Sequence, residues 1–160
     1  MTDPVRAPIL LAFDGSDNAA AAIAKAGELF KAHEAVVLSV WEPISAWEPY
    51  DPATIIEVPL SRLVAQELRL DELVFEAARQ EAERGATLAS QAGFMAQPRV
   101  ERGKAWRVIC DIADEIDAVA VVVGARGLSR IGSVLLGSVS NAVMVHSRRP
   151  VLVVPHATSG

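Results

Sequence analysis

The sequence predicts an α/β fold: an open, Rossmann-like sheet of five parallel strands with helices on both faces. Three observations carry the prediction. Short runs rich in Val, Leu and Ile recur along the chain. Stretches of helical period separate them. The runs lack the apolar–polar alternation of a half-exposed strand, so they suit strands covered on both sides. Strands that alternate with helices build βαβ units, and those build parallel sheets.

The first strand is 8–13 (PILLAF). Asp14-Gly15-Ser16-Asp17 ends it, and Ser16 or Asp17 is placed to cap a helix over 18–33. That helix is alanine-rich, with Ile23, Ala26, Leu29 and Phe30 on one face at spacings of three and four. The second strand is 35–41 (AVVLSVW). Pro43, Pro49, Pro52 and Pro59 then exclude helix and central strand from 42–59. A loop of that length is either a functional lid or a solvent-facing connector.

Residues 60–94 are helical by period. One helix of that length would span about 50 Å, so a break is expected near Leu70-Asp71. The main helix would then run over 71–92, with Leu73, Phe75, Ala78, Ala82 and Leu88 facing the core. Glu76, Arg79, Glu81, Glu83 and Arg84 read as a solvated face, and Gly93 as a C-cap. A charged strand at 98–101 suggests a sheet edge. A helix follows Gly103-Lys104 and runs to Asp117, its stripe formed by Val108, Ile109, Ile112, Ala113 and Ile116. Strands at 118–123 and 150–154 complete the set. Between them, 139–146 reads as a short helix.

The stretch that points to chemistry is Gly124-Ala125-Arg126-Gly127, then nine residues, then Gly137-Ser138. It runs from a strand into a helix. Glycine lets backbone N–H groups approach a ligand, and a helix N-terminus adds unpaired donors and a positive dipole end. Together they form an anion site suited to phosphate; a tight βα turn that binds nothing is the alternative. The pattern is neither a P-loop nor G-x-G-x-x-G. In parallel sheets, ligands sit beyond the carboxyl ends of the strands, where strand order reverses. If the first and fourth strands are neighbours, Asp14, Gly15 and Ser16 share a crevice with the glycine loop. Asp14 would suit a ribose hydroxyl or a phosphate-bound metal there, or would serve only the helix cap.

Composition sets the bounds. The 160 residues suit a single domain, with its core at about 8–155. Hydrophobic residues make up 51% and aromatics 5%, so the core is aliphatic. A net charge of −5 excludes the basic footprint of a nucleic-acid binder. No apolar run reaches the roughly 18 residues of a membrane span, and the first eight residues lack a signal h-region. Cys110 is the single cysteine, which excludes a disulfide framework and suits a cytoplasmic protein. Cys110 itself reads as a small core residue.

The spaced glycines with Ser138, the strand ending Asp14-Gly15-Ser16 and the terminal Arg149-Pro150-Val151-Leu152-Val153-Val154 together resemble the ATP-binding branch of the universal stress protein family. The resemblance covers about 8–155. It implies strand order 3-2-1-4-5 and a site for ATP, AMP or cyclic AMP, with Mg²⁺ or Mn²⁺ arriving on the nucleotide. By resemblance, Asp14, Gly15 and Ser16 lie near ribose and phosphates, and the Val40 backbone lies near the adenine. Gly127 would approach ribose or phosphate, Gly137, Ser138 and Val139 would donate to the phosphates, and Ser140 extends that turn; Gly124 and Arg126 complete the candidate binding residues. Ala125 departs from the serine common in the family. The resemblance also implies a homodimer through 151–154 and a stress-response role in which ATP state governs an unidentified protein partner. A slow ATPase or adenylate-transferring enzyme is the alternative.

The residues supply binding more clearly than catalysis. Attack on a γ-phosphate needs a positioned water, a base and a charge clamp. Arg126 or Arg130 would serve as the clamp, or both are solvated arginines. His33 and His146 read as helix-end cations, and His156 lies in the tail. No catalytic residue and no protein metal site is assigned.

Overall fold

The computed structural model describes residues 7–30, 33–43, 60–125 and 137–155, with 60–63 described by backbone alone. The element order is β1 (Ile9–Ala12), α1 (Asp17–Leu29), β2 (Glu34–Trp41), α2 (Leu60–Gln91), β3 (Met95–Arg102), α3 (Ala105–Glu115), β4 (Ala120–Gly124), α4 (Ser138–His146) and β5 (Val151–Val154). All strand pairs are parallel, in the order β3-β2-β1-β4-β5. The expected fold class and strand order are therefore observed.

Strand alternation divides the core. Ile9 and Leu11 point to a cluster with Ala22, Ile23 and Ala26 of α1 and Ala86 and Ala89 of α2. Leu10 points the other way, to Ile109, Ile112 and Ala113 of α3 and Val143 of α4. Ile9, Leu10 and Leu11 are fully buried, and each such side chain is worth about 1.5–3 kcal/mol in area removed from water. The centre of the sheet is thus fixed at β1 and β4, whose carboxyl ends lie side by side.

Several elements differ from the sequence reading. α2 is one helix of 32 residues, about 48 Å long, with no break at Leu70-Asp71. Glycine and proline are absent from 60–84, and strong helix formers fill it. The core takes Ala82, Ala86 and Ala89, whereas Leu73 is 67% exposed. Gly85 lies flat on the sheet: a Cβ there would meet Phe13 and Val37 side chains at 2.7 Å. Gly93, at φ +99, closes the helix as expected. Phe94 N–H reaches the Ala89 carbonyl, and Gly93 N–H reaches that of Ser90, the two bonds of a Schellman motif.

α1 stops at Leu29 and so does not run to His33. β3 has eight residues because it pairs with β2 along its full length, from Glu34 with Met95 to Trp41 with Arg102. α3 stops at Glu115 by a second Schellman motif, in which Asp117 takes the left-handed position at φ 50. Arg149 then holds the Asp117 carboxylate at 2.8 Å. Among the described residues no helix is long and apolar enough to cross a membrane.

Candidate functional site

A cavity of about 220 Å³ opens beyond the carboxyl ends of β1 and β4. Asp14, Ser16, Val40, Gly124, Gly137, Ser138, Val139 and Ser140 line it, which brings together eight of the residues singled out in the sequence. Gly15 lies beside it but not on its wall. Arg126, Gly127 and Arg130 lie outside the described residues, as do most of the 42–59 loop and His156.

The β1 end of the site is built by one turn. Ser16 donates to Asp14 Oδ1 through its backbone N–H at 3.1 Å and its hydroxyl at 2.6 Å. Ser16 Oγ in turn accepts from Ala19 N–H at 3.2 Å, so Ser16 is the cap of α1. Gly15 has φ +79, a conformation glycine adopts without strain. Below it lies α2. A Cβ on Gly15 would meet the Glu81 carboxylate at 2.6 Å. Arg84 pairs with Glu81 at 3.3 Å, reaches the Gly15 carbonyl at 3.4 Å and stands over the Phe13 ring at 5.8 Å. Glu81 and Arg84 are therefore more than a solvated face: they support the loop that carries Asp14.

Two buried serines fix the strand ends. Ser39 Oγ donates to the Phe13 carbonyl at 2.7 Å, and Ser140 Oγ to the Gly124 carbonyl at 2.8 Å. Sequence reading missed Ser39, whose only signal is a hydroxyl inside an otherwise apolar run. Gly124 has a structural cause of its own: a Cβ would stand 2.9 Å from the Asn18 carbonyl oxygen and 3.2 Å from Ala19 N. α1 thus crosses β4 at backbone contact. Ala125 is 4% exposed and donates its N–H to the Val154 carbonyl at 2.8 Å.

Of the helices that begin at this end of the sheet, α1, α3 and α4 have described N-caps, and they are capped differently. Ser16 caps α1. The α3 start receives the Glu42 carboxylate, 3.4 Å from Ala105 N. At α4 the N-cap is Gly137, which has no side chain of its own to cap the turn. Its φ of −58 is open to any residue, so backbone strain does not explain the glycine. The α4 start also lines the cavity. Donors at a helix start attract anions.

The two described histidines stand elsewhere. His33 packs edge-on against Phe30, the C-cap of α1, with its Nδ1 3.2 Å from the Phe30 carbonyl oxygen, and His146, in the last turn of α4, stacks on Trp106 at 4.6 Å. Neither lines the cavity. Gly103 takes φ +137 and donates its N–H to the Trp41 carbonyl, continuing the β2–β3 ladder, and Ala105 just beyond it lines the cavity. Among the described residues no three His, Cys, Asp or Glu side chains are grouped to hold a metal ion. Asp14 is the acidic residue on the cavity wall. That donor set fits a divalent ion carried by phosphates better than a resident one.

The Universal stress protein family model matches residues 6–155. The chain belongs to this family. A universal stress protein of Thermus aquaticus is 33% identical over 150 residues, covering 91% of this chain and 96% of that protein. Among solved structures, hypothetical protein MJ0577 aligns with a TM-score of 0.73 at 23% identity, over 98% of this chain and all of that one. A universal stress protein in complex with cAMP aligns at 0.63 and 24% identity, over 97% of this chain and 100% of the other. One from Archaeoglobus fulgidus in complex with dAMP aligns at 0.60 and 18% identity, over 94% and 98%. At these identities the solved structures speak to the fold.

Proposed function

We propose that this universal stress protein binds an adenine nucleotide in the β1–β4 crevice, with ATP, AMP or cyclic AMP as the candidate ligands. The observation that carries the reading is the start of α4, where Gly137 brings no side chain to cap the helix and which lines the same cavity as Asp14. In this reading Gly137, Ser138 and Val139 donate to phosphates, and Asp14 faces ribose or a phosphate-bound Mg²⁺ or Mn²⁺. Val40, on the β2 side, lies against the base. Arg126 and Gly127 belong to the same proposed site. Ser140 supports it indirectly, since its hydroxyl proton goes to Gly124. Two structural neighbours were solved with cAMP and dAMP, which agrees with adenine recognition on this fold.

Nucleotide state is proposed to act as a switch for a regulatory partner in a stress response, within a single cytoplasmic nucleotide-binding unit. The alternative, a slow ATPase or adenylate-transferring enzyme, needs a base at the cavity, and neither described histidine stands there. With Mg²⁺ present, phosphate release is expected well below the 1 s⁻¹ or so of ordinary enzymes. We further propose a homodimer through β5, an edge strand of apolar residues. Mass spectrometry of ligand released from freshly purified protein tests the central reading. An adenine nucleotide supports it, and a different bound metabolite refutes it.

A further inference from the structure

Asn18 is the second residue of α1, in its first turn, and it lines the cavity. Its side-chain Oδ1 is buried and has no hydrogen-bond partner among the described residues. Native folds leave few such atoms, and each one calls for a partner that is bound or mobile. A buried acceptor without a donor costs free energy, which a ligand donor would recover on binding.

The position of Asn18 narrows the partner. Its backbone carbonyl abuts Gly124, so Asn18 stands on the β4 side of the crevice. The apolar Leu38 and Val40 lie on β2, with β1 between the two sides. The start of α4 offers donors on the β4 side, which suit phosphate oxygens. An acceptor beside them repels phosphate and needs a donor near it. In a nucleotide the group that joins phosphates to base and carries hydroxyl donors is the sugar. A hydroxyl also pairs with either end of a carboxamide, whichever way the amide is turned.

We propose that Asn18 recognises a sugar hydroxyl of the bound nucleotide and thereby selects ribonucleotides over deoxyribonucleotides. The proposal rests on the nucleotide reading above. A site built to pair with a hydroxyl rejects the analogue that lacks it, because its own polar group is then left unpaired.

The test is calorimetric affinity for ATP, 2′-deoxy-ATP and 3′-deoxy-ATP, on wild type, Asn18→Leu and Asn18→Asp, with melting of each ligand-free protein. Wild type should bind ATP about tenfold tighter than one of the deoxy analogues. Asn18→Leu should bring that ratio to about one, and its ligand-free melting temperature should hold or rise, since an apolar isostere removes an unpaired acceptor. Asn18→Asp should keep the ratio whatever its overall affinity, because a carboxylate still accepts. An unchanged ratio in Asn18→Leu overturns the proposal. So does equal weakening for all three nucleotides, or a destabilised ligand-free Asn18→Leu, which would mean that Asn18 bonds within the fold. Wild type that binds none of the three overturns the nucleotide reading itself, a result distinct from a lost ratio.

Discussion

Ser140 Oγ donates to the Gly124 carbonyl oxygen across 2.8 Å, joining the first turn of α4 to the last residue of β4. Ser140 is 5% exposed, so water does not compete for the bond. It fixes the separation of the two chain ends that enter and leave 126–136, and so sets where the α4 start stands over the crevice. Ser140→Ala should lower the free energy of unfolding by about 1–2 kcal/mol, read from urea titration. A wild-type midpoint would mean that the carbonyl finds another donor at no cost.

Gly124 separates a packing role from a ligand role. Any Cβ there strikes the backbone of Asn18 and Ala19, and backbone cannot swing aside as a side chain can. Gly124→Ala should therefore destabilise the nucleotide-free protein by about 1–3 kcal/mol. Thermal melting without ligand reads this directly. A variant that melts like wild type yet binds nucleotide poorly would return Gly124 to the ligand.

Much of this was legible because β1, β2 and β4 are buried on both faces, and their unbroken apolar runs leave little choice of element. The cavity wall was legible from Asp14, Ser16 and the 124–140 spacing, since backbone geometry there demands particular residue types. α2 was not. The expected break at Leu70-Asp71 assumed that a helix stays within the breadth of its sheet, whereas local propensity alone carries the chain straight through. Nor could spacing foretell that Glu81 and Arg84 meet Gly15, a contact made by tertiary packing across 69 residues between Arg84 and Gly15. Ser39 and Asn18 give no sequence signal beyond polarity. Gly124 had one, but its cause, the close crossing of α1, is visible only in three dimensions.

Cys110 offers a pH test in a chain with one thiol. Burial, and then the nearby Asp111 and Asp114 carboxylates, push its thiol above the usual value. At a given pH the folded protein then holds less thiolate than a free cysteine, and thiolate is the reactive form. Iodoacetamide alkylation of folded protein should be slower than that of urea-unfolded protein at pH 8, and should still climb above pH 9. The raised value also means that folding favours the protonated form, so stability is full below the unfolded thiol's ionisation and falls as pH rises through the folded one. Equal alkylation rates in the two states would contradict this.

The β5 edge predicts association. Light scattering at tens of micromolar should give about twice the 17.0 kDa chain mass for wild type. Val153→Lys, a charge on that edge, should give the chain mass alone. A wild-type monomer would refute the β5 dimer, and a dimeric Val153→Lys would move the interface elsewhere.

The central claim is that the α4 start at Gly137 takes the phosphates of an adenine nucleotide. Calorimetric titration of ATP into wild type and Gly137→Val tests it most directly, with circular dichroism as the check on folding. Gly137 has an unstrained φ of −58, so the backbone admits valine, and it lines the cavity, so the substitution adds bulk at the cavity wall. The account predicts saturable binding by wild type and at least a tenfold loss in the variant, about 1.4 kcal/mol, with an unchanged spectrum. Equal affinity in the two proteins, or no binding by wild type, would contradict it.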